Sequence, residues 1–437
     1  MLALCALAAC GGGAGGAVGE SGGPAAECEQ CSGADGTAGS AAGSSATLAS
    51  NQTTLTVGAG PNDGGAIDDI DSLYAAVTLC RPNTNTCATI DNVLVDTGSY
   101  GIRILASVLT SSGLNLANIA DPNDSTNTIA ECVPFVSGYT WGPMAEATVQ
   151  IGGETATSVP INVLNDDGSY NPGVPGGCTA LTVNKSISSV QGLHANGILG
   201  VGIFSYDCGG ACAQCAAATG GCSSSNTIYY SCNSTSGICS PAQVALNAQA
   251  RNPVVSFATD NNGVILQLPA IASSGVPSAV GSITFGVGTQ SNNGLGSASV
   301  LTLNSEGFFT TLFDGQTLAN SFIDSGSNAY YFPDKSIPTC SGNAGFYCPS
   351  STLTLSAVNL GQNGNSNTVP VNIANLNALS SSNHAFDDIG GSTASSGAIN
   401  SLNNSFDFGL PFFFGRNVFI LFDGATTGSI EGPADAY

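Results

Sequence analysis

Two short stretches of this 437-residue chain carry side chains in a pattern that can move protons. Asp96-Thr97-Gly98-Ser99 follows the apolar run Val93-Leu94-Val95, and Asp324-Ser325-Gly326-Ser327 follows Phe322-Ile323. A carboxyl at the end of a buried strand is costly unless its oxygens are bonded. A neighbouring hydroxyl and a glycine that lets the backbone N–H approach are what such a site needs. One tetrapeptide of this kind is more often an ordinary turn. Two copies, one in each half and each entered from an apolar strand, point to a matched pair. Two carboxyls held close together cannot both ionise easily, so they share one proton and are suited to general acid–base work.

The elements that must position this pair read as strands. Short runs rich in β-branched and apolar residues occur at 53–57, 73–79, 92–95 and 145–151, and again at 254–257, 264–268, 282–285, 321–323 and 418–422, with turn residues between them. The best helix candidate is 241–250, with Ser240 as its N-cap and Pro241 in the first turn. The chain therefore reads as two β-rich halves, with a cysteine-rich insertion before their junction.

With these pieces in order, the chain resembles the pepsin-like aspartic proteases over roughly residues 50–437, within a bacterial family of pepsin-like lipoproteins. In those enzymes each aspartate loop is braced by a later apolar strand ending in glycine. Gly197-Ile198-Leu199-Gly200-Val201-Gly202 is similar to the first brace, and Phe408-Gly409-Leu410-Pro411-Phe412 to the second. The resemblance implies a mainly β, bilobal double-β-barrel with the cleft between lobes. It implies Asp96 and Asp324 as the catalytic acids, activating a water without covalent intermediate, metal or cofactor. Ser99 and Ser327 would bond the outer carboxyl oxygens, Thr97 and Ser325 would lock the two loops together, and Gly98 and Gly326 complete the motifs. It places Tyr139 on a hairpin flap over the cleft, with Trp141 either a subsite wall or a packed anchor.

Four features depart from that pattern. Tyr100 stands where a small hydroxyl residue is usual, and Arg103 where a tryptophan is common. A guanidinium near two carboxyls would favour their doubly ionised state unless it is paired elsewhere, so Arg103 is either a functional cation or a structural partner. The flap candidate is short. The bulky Asn328-Ala329-Tyr330-Tyr331 after the second motif could reshape or partly fill the cleft.

Composition narrows the partners. The formal charge of −23 arises from 29 acids against only six Lys and Arg, which disfavours nucleic acid, because phosphate neutralisation needs clustered cations. Leu7-Ala8-Ala9-Cys10 has the small-residue-then-cysteine form of a bacterial lipoprotein signal, which makes Cys10 the expected lipidation site. The Gly, Ala and Ser tract after it reads as a flexible tether. Setting aside Cys5 and Cys10 leaves 14 cysteines for an oxidising compartment. Cys80 with Cys87 and Cys340 with Cys348 are expected to close local loops. The group Cys208, Cys212, Cys215, Cys222, Cys232 and Cys239 reads as disulfides in preference to a metal site, since neither His194 nor His384 lies within it.

The expected organisation is a signal peptide (1–9), a lipidated tether (10–49), an N-terminal lobe (50–250) with its cysteine-rich insertion (205–240), and a C-terminal lobe (251–437). The expected function is hydrolysis of peptide or protein substrates by a monomer anchored in the bacterial envelope, on the periplasmic side or at the outer membrane. The alternatives are a pepsin-like body that binds peptide or glycan without turnover, and a structural envelope lipoprotein.

Overall fold

The computed structural model describes residues 48–61, 70–180, 185–215, 221–343, 345–393 and 404–437. The expected signal peptide, the lipidation site Cys10, nearly all of the tether, and Cys28 with Cys31 lie outside these residues.

The first lobe is a closed barrel of six strands. Leu73–Cys80 pairs with Cys87–Asp96, and the ring continues through Gly197–Val201, Tyr100–Leu105, Glu154–Leu164 and Gly138–Ile151, which returns to Leu73–Cys80. The sequence closes this ring by burial: Val77, Leu79, Val93, Val95, Ile102, Ile104, Val149 and Ile161 all meet inside it. The turn between the first two strands is stapled by the expected disulfide Cys80–Cys87.

The second lobe is built on a seven-stranded sheet, ordered Ser366–Ile373, Leu353–Leu360, Phe309–Phe313, Gln316–Ile323, Asp407–Phe408, Tyr330–Phe332 and Gly390–Ser392. Its core is a stack of aromatic rings. Phe406 lies 4.2 Å from Phe408 and 4.7 Å from Phe332, both nearly parallel, while Phe313 and Tyr330 meet it edge-on. A linking sheet joins the lobes, with Gln52–Val57 paired to Ala279–Phe285 and the latter to Gly263–Gln267, then Asn417–Leu421, Ala434–Ala436 and Val300–Thr302.

One crossing pattern occurs in both lobes. The strand ending at Asp96 runs parallel to Gly197–Val201, which is flanked on its other side by the antiparallel strand that leaves the aspartate loop. The strand ending just before Asp324 runs parallel to Asp407–Phe408, which is flanked in turn by the antiparallel strand Tyr330–Phe332. In each lobe the outgoing strand then pairs parallel with one more strand. This duplication makes the molecule mainly β, bilobal and pepsin-like in its strand plan, as expected.

Two local expectations fail. Residues 241–250 form no long helix. Pro241 ends the strand Cys239–Pro241, and only Leu246–Ala248 makes a 3-10 turn. The segment's donors go to distant partners instead, Ala242 N to Tyr229 O, Val244 N to Cys212 O and Ala250 N to the Tyr229 hydroxyl, so tertiary contacts override helix propensity. The run at 254–257 is likewise a 3-10 turn, Pro253–Ser256, capped by the Asn252 side chain.

The insertion adds its strand Tyr229–Asn233 to Asp124–Phe135 and is held by Cys208–Cys212, Cys215–Cys222 and Cys232–Cys239, so the grouped cysteines pair as disulfides. Cys132–Cys178 and Cys340–Cys348 complete six bridges among the described residues. Because Phe406 is fully buried and touched by rings on several sides, Phe406→Ala should lower stability by about 3–5 kcal/mol in urea unfolding monitored by circular dichroism.

Candidate active site

Asp96 ends one strand and Asp324 directly follows the end of another, and the two meet at the junction of the lobes. They are 1 % and 0 % exposed, and the loops bring the two carboxyl groups close enough for each to act on the other's titration. Each is held in the same way. The Gly98 N–H donates to Asp96 Oδ1 at 2.8 Å and the Ser99 hydroxyl to Asp96 Oδ2 at 2.5 Å. The Gly326 N–H donates to Asp324 Oδ1 at 2.8 Å and the Ser327 hydroxyl to Asp324 Oδ2 at 2.9 Å.

The loops also hold each other. The Thr97 N–H donates to Ser325 Oγ (3.1 Å), and the Ser325 N–H donates to Thr97 Oγ1 (2.9 Å). Each hydroxyl passes its own proton across the junction, Thr97 to Ile323 O at 3.1 Å and Ser325 to Val95 O at 2.7 Å. All four polar atoms are thereby satisfied in a buried place, which fixes one loop against the other. The glycines are required by the same approach. A Cβ on Gly98 would lie 2.7 Å from Asp324 Cγ, and one on Gly326 would lie 2.6 Å from Asp96 Oδ1.

The two acids are not equivalent. Burial raises the pKa of both. For Asp96 the rise is opposed by the bonds from Ser99, Asp324 and Gly98 and by the charge of Arg103. For Asp324 it is reinforced by the negative charge of Asp96, and by that of Asp407 whenever Asp407 is ionised, so that burial and these charges together hold its carboxyl well above the ordinary range. These surroundings favour a negative charge on Asp96 over one on Asp324, and the pair titrates as a unit.

Arg103 does not sit between them. It is fully buried in a separate network, 3.1 Å from Glu131 Oε1 and 2.8 Å from Asp207 Oδ2, and donates to Tyr100 O at 2.8 Å. The Tyr229 hydroxyl bonds the same two acids, 2.7 Å from Asp207 and 3.2 Å from Glu131. The side chain is a structural partner whose charge reaches Asp96 from outside the pair.

The bulky residues after the motifs turn into packing. Tyr100 meets Phe204 edge-on at 5.4 Å, Tyr330 joins the aromatic stack, and the Tyr331 hydroxyl donates to Asn328 Oδ1 at 2.7 Å.

The flap residues go elsewhere. Tyr139 and Trp141 lie on the hairpin formed by Asp124–Phe135 and Gly138–Ile151, but both are buried in a cluster with Cys132, Tyr170, Cys178 and Tyr230. Trp141 Nε1 donates to Pro172 O at 3.3 Å, so it is a packed anchor and not a subsite wall. Tyr139 is tied through its backbone to Lys185 and Ile187, which pins the hairpin tip. No contact among the described residues brings either ring to the aspartates.

Sequence reading missed Asp407. Its signal was the alternation Phe406-Asp407-Phe408 in the brace strand: with both phenylalanines in the core, the acid must face the other way, toward Asp324. Asp435 was also missed. It is buried on the linking sheet and lines a small pocket that Gly98 and Phe322 also wall.

Residues 47–437 match the profile of the family described as "Protein of unknown function (DUF3443)". The chain belongs to that family. No curated protein matches its sequence. Among solved structures, an aspartic proteinase from Irpex lacteus is similar at 15% identity with a TM-score of 0.46, covering 88% of this chain and 96% of its own. That score is too low to bear on the site, and the fold assignment rests on the crossing pattern repeated in each lobe.

For this DUF3443 protein the buried acids also set how stability varies with pH. Asp324, Asp407 and Asp207 are held well above the ordinary carboxylate range, and burial pushes Asp435 up to about 8. Each binds its proton more tightly folded than unfolded. The stability it contributes is therefore complete below the unfolded pKa of about 4 and is lost as pH rises through the folded value. Stability, followed by the melting temperature, should fall between about pH 4 and about pH 8, and Asp435→Asn should remove a part of that fall on the order of a few kcal/mol. Differential scanning calorimetry across the range checks both.

Proposed function

We propose that the chain is an aspartic-type endopeptidase, hydrolysing peptide bonds with a water activated between Asp96 and Asp324. The observation that carries this reading is a carboxyl pair drawn from two duplicated lobes, buried, each acid held by the same glycine N–H and serine hydroxyl bonds, with the two loops bonded to each other. Ionised Asp96 takes a proton from the water as its oxygen bonds to the scissile carbonyl carbon, while protonated Asp324 gives its proton to the carbonyl oxygen. The resulting diol collapses when Asp96 returns its proton to the amide nitrogen, the C–N bond breaks, and Asp324 recovers a proton from a diol hydroxyl. No covalent link to the protein forms, and the reaction consumes one water.

The pinned hairpin favours a second reading. With Tyr139 packed away from the aspartates, a pepsin-like body that holds peptide or glycan without cleaving it fits the same site. The two separate by experiment. The soluble domain from residue 48 onward is incubated with denatured protein and a peptide library from about pH 3 to about pH 7, beside Asp96→Asn and Asp324→Asn. The endopeptidase reading expects cleavage blocked by a statine-type inhibitor and reduced by at least about a thousandfold in either variant. Tight binding without cleavage by the intact domain would leave the binding module.

In the same reading the domain works as a monomer tethered to the bacterial envelope by a lipid on Cys10, periplasmic or at the outer membrane, with no role for nucleic acid. Among the described residues no helix is long and apolar enough to cross a membrane. Cys10→Ser should move the expressed protein from the membrane fraction to the soluble fraction, and retention in the membrane fraction would count against the anchor.

A further inference from the structure

A third carboxyl is wired to the pair. Ser327 Oγ lies 2.9 Å from Asp324 Oδ2 and 2.7 Å from Asp407 Oδ2. A hydroxyl has one hydrogen and can donate to only one of them. Both bonds exist together only if one acid carries a proton and donates it to the serine oxygen.

The surroundings choose which. Asp407 is 3 % exposed, and its Oδ1 has no hydrogen-bond partner among the described residues, so a charge there would be poorly solvated. Asp324 already faces Asp96 through its inner side, with the Gly326 N–H on Oδ1, and accepts from Ser327 on its outer oxygen. Protons therefore run from the Asp407 O–H to Ser327 Oγ, and from the Ser327 O–H to Asp324 Oδ2.

Among the described residues the charged groups around Asp407 are few. Across Ser327 stand Asp324 and Asp96. On the neighbouring strands the register partners are Phe322 and Tyr331, and the Tyr331 hydroxyl is bonded to Asn328. The cation Arg416 acts on Tyr330 and Asp387.

We propose that Asp407 is a positioning residue of the aspartate pair: a protonated third carboxyl that, through Ser327, orients Asp324 and extends to higher pH the range in which the pair keeps its shared proton. At working pH the cluster of three carboxyls holds two protons and one negative charge. As pH rises, the next charge falls on Asp407 and its repulsion keeps the proton on Asp324. Burial and the Asp96 charge raise the Asp407 pKa, and the Ser327 hydrogen bond opposes part of the rise. The functional consequence rests on the endopeptidase reading, whereas the proton arrangement does not.

The test is an infrared pH titration of the buried carboxylic-acid bands in the intact soluble domain, with Asp407→Asn, Ser327→Ala and Ser327→Thr. The Asn amide can donate to Ser327 Oγ and preserves the geometry while removing the charge. The expected result is that Asp407→Asn loses one protonated carboxyl and moves the last deprotonation of the pair down by about one pH unit or more. Ser327→Ala, which breaks the wire without touching either acid, should also move it, and Ser327→Thr should restore the wild-type titration. An unchanged carboxyl band in Asp407→Asn, or an unchanged titration of the pair in both Asp407→Asn and Ser327→Ala, would overturn the proposal. Peptide cleavage is followed in the same samples. The alkaline limb of its pH profile should shift down with the infrared titration in Asp407→Asn. Absence of cleavage in every sample would remove the endopeptidase reading and leave the infrared outcome to decide the role of Asp407.

Discussion

The reciprocal hydrogen bonds between Thr97 and Ser325 are the constraint on which the site depends. Each N–H and each hydroxyl of this pair finds its partner in the opposite loop or at the strand entering it. The loops are thus fixed closely enough for Gly98 to rest against the Asp324 carboxyl and Gly326 against that of Asp96. The barrel of the first lobe and the aromatic stack of the second serve to hold the two loops at that distance.

Close approach in a buried place has an electrostatic consequence. Two carboxyls that cannot both ionise become a pair with one proton, and small asymmetries then decide where it rests. Here the asymmetry comes from outside the pair. Arg103 belongs to its own network with Glu131 and Asp207 yet still favours charge on Asp96, while Asp407, once ionised, disfavours it on Asp324. The cation that looked dangerous to proton sharing therefore biases the pair without dissolving it.

Much of this was legible in the sequence because the informative signals were local. A tetrapeptide after an apolar strand marks an aspartate loop, and two copies mark two lobes. Cysteines at the ends of a short polar turn mark a staple, as with Cys80 and Cys87. What escaped was decided by contacts distant in the chain. Residues 241–250 have helix-forming composition, but Tyr229 and Cys212 take their backbone bonds. Tyr139 and Trp141 occupy a plausible flap position, yet Tyr230 and Cys232 of the cysteine-rich insertion, together with Cys132, Tyr170 and Cys178, form a cluster that buries them. Asp407 reads as one more acid until the strand alternation shows that it must face the pair.

The central claim is that one proton is held between Asp96 and Asp324 across the lobe junction. Neutron diffraction from a deuterated crystal of the soluble domain at mildly acidic pH observes it directly. The account predicts a single deuteron between the facing oxygens, on the Asp324 side. Two ionised carboxylates with no deuteron between them, or separate deuterons on both acids, would contradict it.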